Sequence, residues 1–108
     1  EISPYAQTNI TQLKDKKISE IIIDPKKLNV NADKFENLIG DDAKCNAEQM
    51  LNIFKGEDND FSKAVCLNAS AGLIVNETHQ DFADAYNHAR EHILSGKTIK
   101  HLDKIQNA

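Results

Sequence analysis

Phe61-Ser62-Lys63-Ala64-Val65-Cys66-Leu67-Asn68-Ala69-Ser70-Ala71-Gly72-Leu73-Ile74-Val75 carries one charge, Lys63, and after it only Asn68 and Ser70 are polar. A run of this length is a helix rather than a strand. A helix that is apolar on nearly every side is a buried helix, and its small residues let another backbone come close. The stretch is expected to be the core element of the fold, with Leu67, Ala71 and Ile74 buried. Within it, the Asn68 amide must find a partner or cost on the order of 1–3 kcal/mol. That need marks Asn68 as a clamp between helix and loop rather than a substrate ligand.

On the C-terminal side, Thr78-His79-Gln80-Asp81 resembles a capping box. Phe82, Ala85, Tyr86, Ala89 and Ile93 then share one helical face as far as Gly96, a helix stop. Ile99, Leu102 and Ile105 at i, i+3, i+6 predict a last short helix. On the N-terminal side, Ala43, Ala47, Met50, Leu51 and Phe54 share a face, capped by Asp41-Asp42 and stopped at Gly56. Asn46 beside Ala47 is a second clamp of the Asn68 kind. Residues 29–42 read as a packed connection, with Asn29, Asn31 and Asn37 as turn formers and Leu28, Val30, Phe35 and Leu38 as anchors.

The opening residues are extended. Asn9 to Leu13 and Ile18 to Ile23 flank the polar turn Asp15-Lys16-Lys17, which predicts a β-hairpin. Ile21, Ile22 and Ile23 in succession predict a second strand covered on both faces, by partners outside this chain. Asp24-Pro25 ends that strand and starts a single helical turn through Leu28. The fold class is therefore α/β: an N-terminal β-hairpin followed by about four helices.

Composition narrows the function. The chain has 108 residues, so it is one domain or part of one. With 13 Lys+Arg against 17 Asp+Glu, a net charge of −4 and Arg90 as its one arginine, it lacks the clustered cations of a nucleic-acid binder. No apolar run approaches the roughly 18 residues of a membrane span, and Glu1-Ile2-Ser3-Pro4 opens no signal peptide. Asn9, Asn68 and Asn76 begin glycosylation sequons, but a glycan on Asn68 would not fit within the most buried helix. Cys45 and Cys66 are expected to be free thiols of a cytoplasmic protein.

Three motifs hint at chemistry and fail on context. Ser95-Gly96-Lys97-Thr98 ends like a phosphate-binding loop, yet Glu91 stands where that motif needs glycine, and a helix rather than a strand precedes it. His88 and His92 stand at i, i+4 with Asp84 and Glu91 nearby, a spacing able to hold zinc. The stripe falls away from the apolar face of its helix and reads as solvated surface. Cys45 and Cys66 have no histidine whose placement would argue for a nucleophile, and read as small packing residues.

Ala64-Val65-Cys66-Leu67-Asn68-Ala69-Ser70-Ala71, Gly40-Asp41-Asp42-Ala43-Lys44-Cys45-Asn46-Ala47 and Ala89-Arg90-Glu91-His92-Ile93-Leu94-Ser95-Gly96-Lys97, in this order, resemble the C-terminal part of the anthranilate phosphoribosyltransferase family. The opening, a carboxylate followed by Ile2-Ser3 and a hairpin, resembles it too. The chain departs from the family at Ile39, where a glycine is common, in Ser3 to Thr8, which lacks a usual glycine, and at Ser70 and Gly72, which replace alanines.

The resemblance implies the C-terminal portion of the α/β domain of a phosphoribosyltransferase of the nucleoside-phosphorylase-like type. Residues 1–108 would then be a segment of that domain, not a complete one. It implies Mg²⁺-dependent transfer of the phosphoribosyl group of phosphoribosyl pyrophosphate to anthranilate, by a cytoplasmic enzyme that is a homodimer when complete. The glycine-rich phosphate loop and the anthranilate contacts would lie in the remaining N-terminal part of the same enzyme. No residue of this chain is expected to be catalytic or substrate-binding. Glu1 matches the second acid of the family's Asp-Glu pair, and the resemblance makes it a Mg²⁺ ligand. The alternative reading is a small acidic protein-interaction module without catalysis.

Overall fold

The computed structural model describes residues 1–108. Strands β1 (Thr8–Lys14) and β2 (Lys17–Ile23) form an antiparallel hairpin in the register Thr8↔Ile23 to Lys14↔Lys17. The turn is tighter than expected. Asp15 and Lys16 alone make it, with φ of 51° and 62°, and Lys17 is already paired. Left-handed backbone at both central positions is the type I′ hairpin turn, whose twist matches that of the strands. Lysine gains nothing from that conformation, so Lys16→Gly is expected to stabilise the chain by about 1 kcal/mol. A rise in the urea midpoint without a change in m-value would show it.

After β2, Asp24 stops the sheet and its carboxylate accepts the Lys26 amide at 3.0 Å. The chain closes one turn through Leu28 N–H to Asp24 O (3.3 Å) and Val30 N–H to Pro25 O (3.0 Å). A 3-10 turn at Phe35–Leu38 leads to helices α1 (Ala43–Phe54), α2 (Asp60–Val75), α3 (Phe82–Leu94) and α4 (Lys97–Gln106). Their boundaries follow local chemistry. Asp42 caps α1 by accepting the Cys45 amide at 2.7 Å. Asn59 and Ser62 form a reciprocal capping box at α2, one residue earlier than the apolar run begins. Gly56 (φ 106°) and Gly96 (φ 75°) take the left-handed backbone that follows α1 and α3. Asp81 alone caps α3, accepting the Asp84 amide at 3.0 Å. Thr78 does not join it; its hydroxyl donates to Leu73 O and closes the end of α2.

Helix α2 packs most extensively on α3, and the core runs through both: Ile2, Ile23, Val30, Ile53, Cys66, Leu67, Tyr86, Ala89 and Ile93. Leu67 is fully buried as expected, but Ala71 and Ile74 are only half-buried. One further expectation is corrected. Helix α2 is not covered all round, because Val65, Ala69, Gly72 and Val75, at i, i+4, i+7 and i+10, form an exposed stripe, with Val75 80% exposed. Within this chain β2 is covered on one face only, which leaves its other face to the outside partners that its sequence calls for. Ile21 and Ile23 face the core, while Ile22 is 63% exposed and shares the outer face of the hairpin with the exposed Leu13 and Ile18.

The surface area agrees with these open faces. It is 7664 Å², against roughly 6,000 Å² for a compact monomer of 12.1 kDa. The radius of gyration, 14.8 Å, exceeds the roughly 13 Å of a compact chain of this length. No helix is long and apolar enough to cross a membrane.

Candidate functional site

The first residues are held from the middle of α2. Ile2 N–H donates to Asn68 Oδ1 at 2.8 Å, and Asn68 Nδ2 donates to Ile2 O at 3.0 Å and to Ala64 O at 2.9 Å. The Ile2 side chain is buried in the core. Asn68 is thus the clamp its position called for, and its partner lies 66 residues away in sequence. The main chain beyond it continues the anchorage: Ser3 N–H donates to Thr8 Oγ1 at 3.0 Å, and Ala32 N–H to Pro4 O at 2.8 Å.

Glu1, the one proposed metal ligand, is exposed at the outer edge of this anchored segment, and its carboxylate pairs with no cation. Free carboxylate oxygens suit a hard cation such as Mg²⁺, which takes one or two carboxylates along with substrate phosphates and water. No group of three or more His, Cys, Asp or Glu residues gathers anywhere in the chain. Glu1 by itself is a single hard oxygen donor of the kind that Mg²⁺ accepts, and any further ligands would have to come from outside this chain.

Asn46 forms the second clamp. Asp41 N–H donates to Asn46 Oδ1 at 2.9 Å and Asn46 Nδ2 donates to Asp41 O at 2.9 Å. A Cβ at Gly40 would stand 2.8 Å from Asn46 Oδ1, so the clamp leaves no room for a side chain there.

A polar groove of about 590 Å³ lies between the 3-10 turn, α1 and the start of α2, lined among others by Asp33, Asn37, Asp58, Asp60 and Lys63. Lys63 Nζ bonds Asp60 Oδ1 at 2.8 Å and Asn31 O at 3.1 Å, and this ammonium holds the Asp60 carboxyl below its ordinary value. Asp58 takes the guanidinium of Arg90 from α3, which likewise depresses its carboxyl, and accepts from Ser62 Oγ at 3.1 Å. This pair ties the α1–α2 loop to α3. Sequence reading missed it; the solitary arginine on a helix flank was its only signal. Both partners are well exposed, so the pair adds little stability.

The other motifs lie apart. His88 and His92 are exposed on α3; His88 meets His79 edge-on, with ring centroids 4.7 Å apart. Ser95-Gly96-Lys97-Thr98 joins α3 to α4, and no strand leads into it. Both cysteines are free, Cys45 half-buried on α1 and Cys66 2% exposed in the core.

Burial pushes the Cys66 thiol from its ordinary 9.0 up to about 11 and the Tyr86 hydroxyl up to about 12. The folded chain keeps these protons to higher pH than the unfolded one. Stability is therefore expected to hold below about pH 9 and fall as the pH rises through 9 to 11. Urea unfolding across that range should show the decline, with a shallower slope in Cys66→Ala. A flat profile in the parent chain would contradict it.

The sequence of this hairpin and its four helices matches a known family. Residues 1–99 match the model described as the glycosyl transferase family, a/b domain, and the chain belongs to that family. It is 72% identical over 107 residues to the anthranilate phosphoribosyltransferase of Pelagibacter ubique, covering 99% of this chain and 32% of that protein. The proteins of the same name from Thermoanaerobacter sp. and Aquifex aeolicus are 33% and 28% identical, over 97% and 96% of this chain and 31% of each of theirs. The chain thus spans about a third of the length of the curated relatives it matches.

Proposed function

We propose that this chain is the C-terminal segment of the α/β domain of an anthranilate phosphoribosyltransferase, an enzyme of tryptophan biosynthesis. The observation that carries the reading is the 72% identity across nearly the whole chain. The excess surface and the open faces of α2 and the hairpin support a segment that packs against a larger N-terminal part of the same polypeptide. A free-standing interaction module is disfavoured by the same facts.

The complete enzyme transfers the phosphoribosyl group of phosphoribosyl pyrophosphate to anthranilate. The bond from the anomeric carbon to pyrophosphate breaks, the anthranilate amine bonds to that carbon and loses a proton, and phosphoribosyl-anthranilate and pyrophosphate leave. Glu1 contributes a carboxylate ligand to Mg²⁺. When bound, the cation neutralises negative charge on the departing pyrophosphate. The enzyme works in the cytoplasm, a reading that two free thiols support, and the complete enzyme is a homodimer, which light scattering checks.

The test uses the complete enzyme and follows the loss of anthranilate fluorescence. Consumption should require both phosphoribosyl pyrophosphate and Mg²⁺; anthranilate left untouched would refute the assignment. Glu1→Gln is expected to raise the Mg²⁺ concentration for half-maximal turnover by at least about tenfold, since even the outer partners of metal ligands carry that much. An unchanged Mg²⁺ dependence would remove Glu1 from the site and leave the transferase assignment standing.

A further inference from the structure

We infer that Asn68 is the positioning residue for the Glu1 carboxylate, an inference that rests on the metal role proposed above. Three hydrogen bonds leave the one amide. Oδ1 accepts Ile2 N–H at 2.8 Å, and Nδ2 donates to Ile2 O at 3.0 Å and Ala64 O at 2.9 Å. Both main-chain groups of the residue next to Glu1 are therefore tied to a single side chain. The bond to Ala64 O, one helical turn back on α2, locks the rotation of the amide itself. The helix beneath it holds Cys66, Leu67 and Ser70 inside, and the Ile2 side chain is seated in the same core.

Glu1 thus projects from a peptide that cannot swing, while its carboxylate stays in solvent and unpaired. A metal ligand gains from a fixed main chain, because its oxygens must come within about 0.5 Å of their working place; the Glu1 side chain itself is left for the cation to order. Asn46 provides a built-in comparison. It makes the same two-bond clamp, but to Asp41 on a different loop, so it shares the structural role of Asn68 without carrying Glu1.

The test measures binding directly. Mn²⁺ is titrated into the complete enzyme saturated with phosphoribosyl pyrophosphate and followed by electron paramagnetic resonance, with melting temperatures recorded alongside. Asn68→Ala is expected to weaken Mn²⁺ about tenfold, while Asn46→Ala stays within about twofold of the parent at a similar loss of melting temperature. In the Glu1→Gln background Asn68→Ala should weaken Mn²⁺ no further, as expected of a residue that acts only through Glu1. An equal loss with and without Glu1, or equal losses in the Asn46 and Asn68 variants, would overturn the inference. Unchanged affinity in Asn68→Ala with weakening in Glu1→Gln ends the positioning role and keeps the metal role; no change in either ends both. Where Asn68→Ala does not fold, Asn68→Gln shifts the amide by one methylene. Faster exchange of the Ile2 amide in that variant, with Mn²⁺ affinity unaltered, also overturns the inference.

Discussion

Purified by itself, the 108-residue chain is expected to consume no anthranilate, even with phosphoribosyl pyrophosphate and Mg²⁺ in excess. Transfer requires a pyrophosphate ester and an amine held together at attack distance, and well-oriented reactants gain effective molarities on the order of 10⁵ M or more over free ones. This chain offers Glu1 as its single expected metal ligand, no cluster of metal ligands and no glycine-rich loop whose amides would cradle phosphate. Its one motif with a phosphate-loop ending sits between two helices. The complete enzyme, assayed in parallel, supplies the positive control. Turnover by the isolated chain above the buffer rate would show that the site is assembled within these residues, contrary to the structure.

Leu67→Ala carries the second large effect. Leu67 is 0% exposed and the largest of the fully buried side chains, in a cluster with Ile2, Ile23, Tyr86 and Ile93. Removing its isobutyl end takes away apolar burial and leaves a cavity that rigid neighbours close only in part, at a cost of about 2–5 kcal/mol. The loss should be largest where α2 and α3 press together. Denaturant unfolding measures it, provided the m-value is unchanged. A loss below about 0.5 kcal/mol would mean that the inner face of α2 is not packed. Because Leu67 adjoins the Asn68 clamp, faster exchange of the Ile2 amide is expected to accompany the loss.

Much of the architecture was readable residue by residue. The Asp42 cap, the left-handed glycines at 56 and 96, and the apolar face of α3 are signals confined to one or two turns, and the chain obeys each of them. Helix α1, by contrast, exposes Ala43, Ala47 and Met50 of its expected face and buries Ile53 instead. Asn46 and Asn68 were recognisable as clamps because an amide in or beside an apolar stretch must find a partner, although Ala47 and Ala69 beside them turn out to be exposed. The misreadings came where two local signals competed. Thr78 and Asp81 both looked like the start of α3, and the structure uses the first to finish α2 and the second to begin α3. The hairpin turn was read one residue too long, because nothing about Lys16 announces a positive φ.

Helix α2 marks the boundary between the two kinds of knowledge. Its helicity, its cap region and its apolar character follow from neighbouring residues alone, since hydrogen bonds at i, i+4 and side-chain hydrophobicity are short-range properties. Which of its sides is covered does not follow, because burial depends on what else packs there. Leu67 is sealed by residues from both ends of the chain, while Val65, Ala69, Gly72 and Val75, equally small or apolar, face outward. The same holds for Asn68. Its chemistry required a partner, but only the folded chain, by bringing residue 2 against residue 68, made that partner the peptide that carries Glu1.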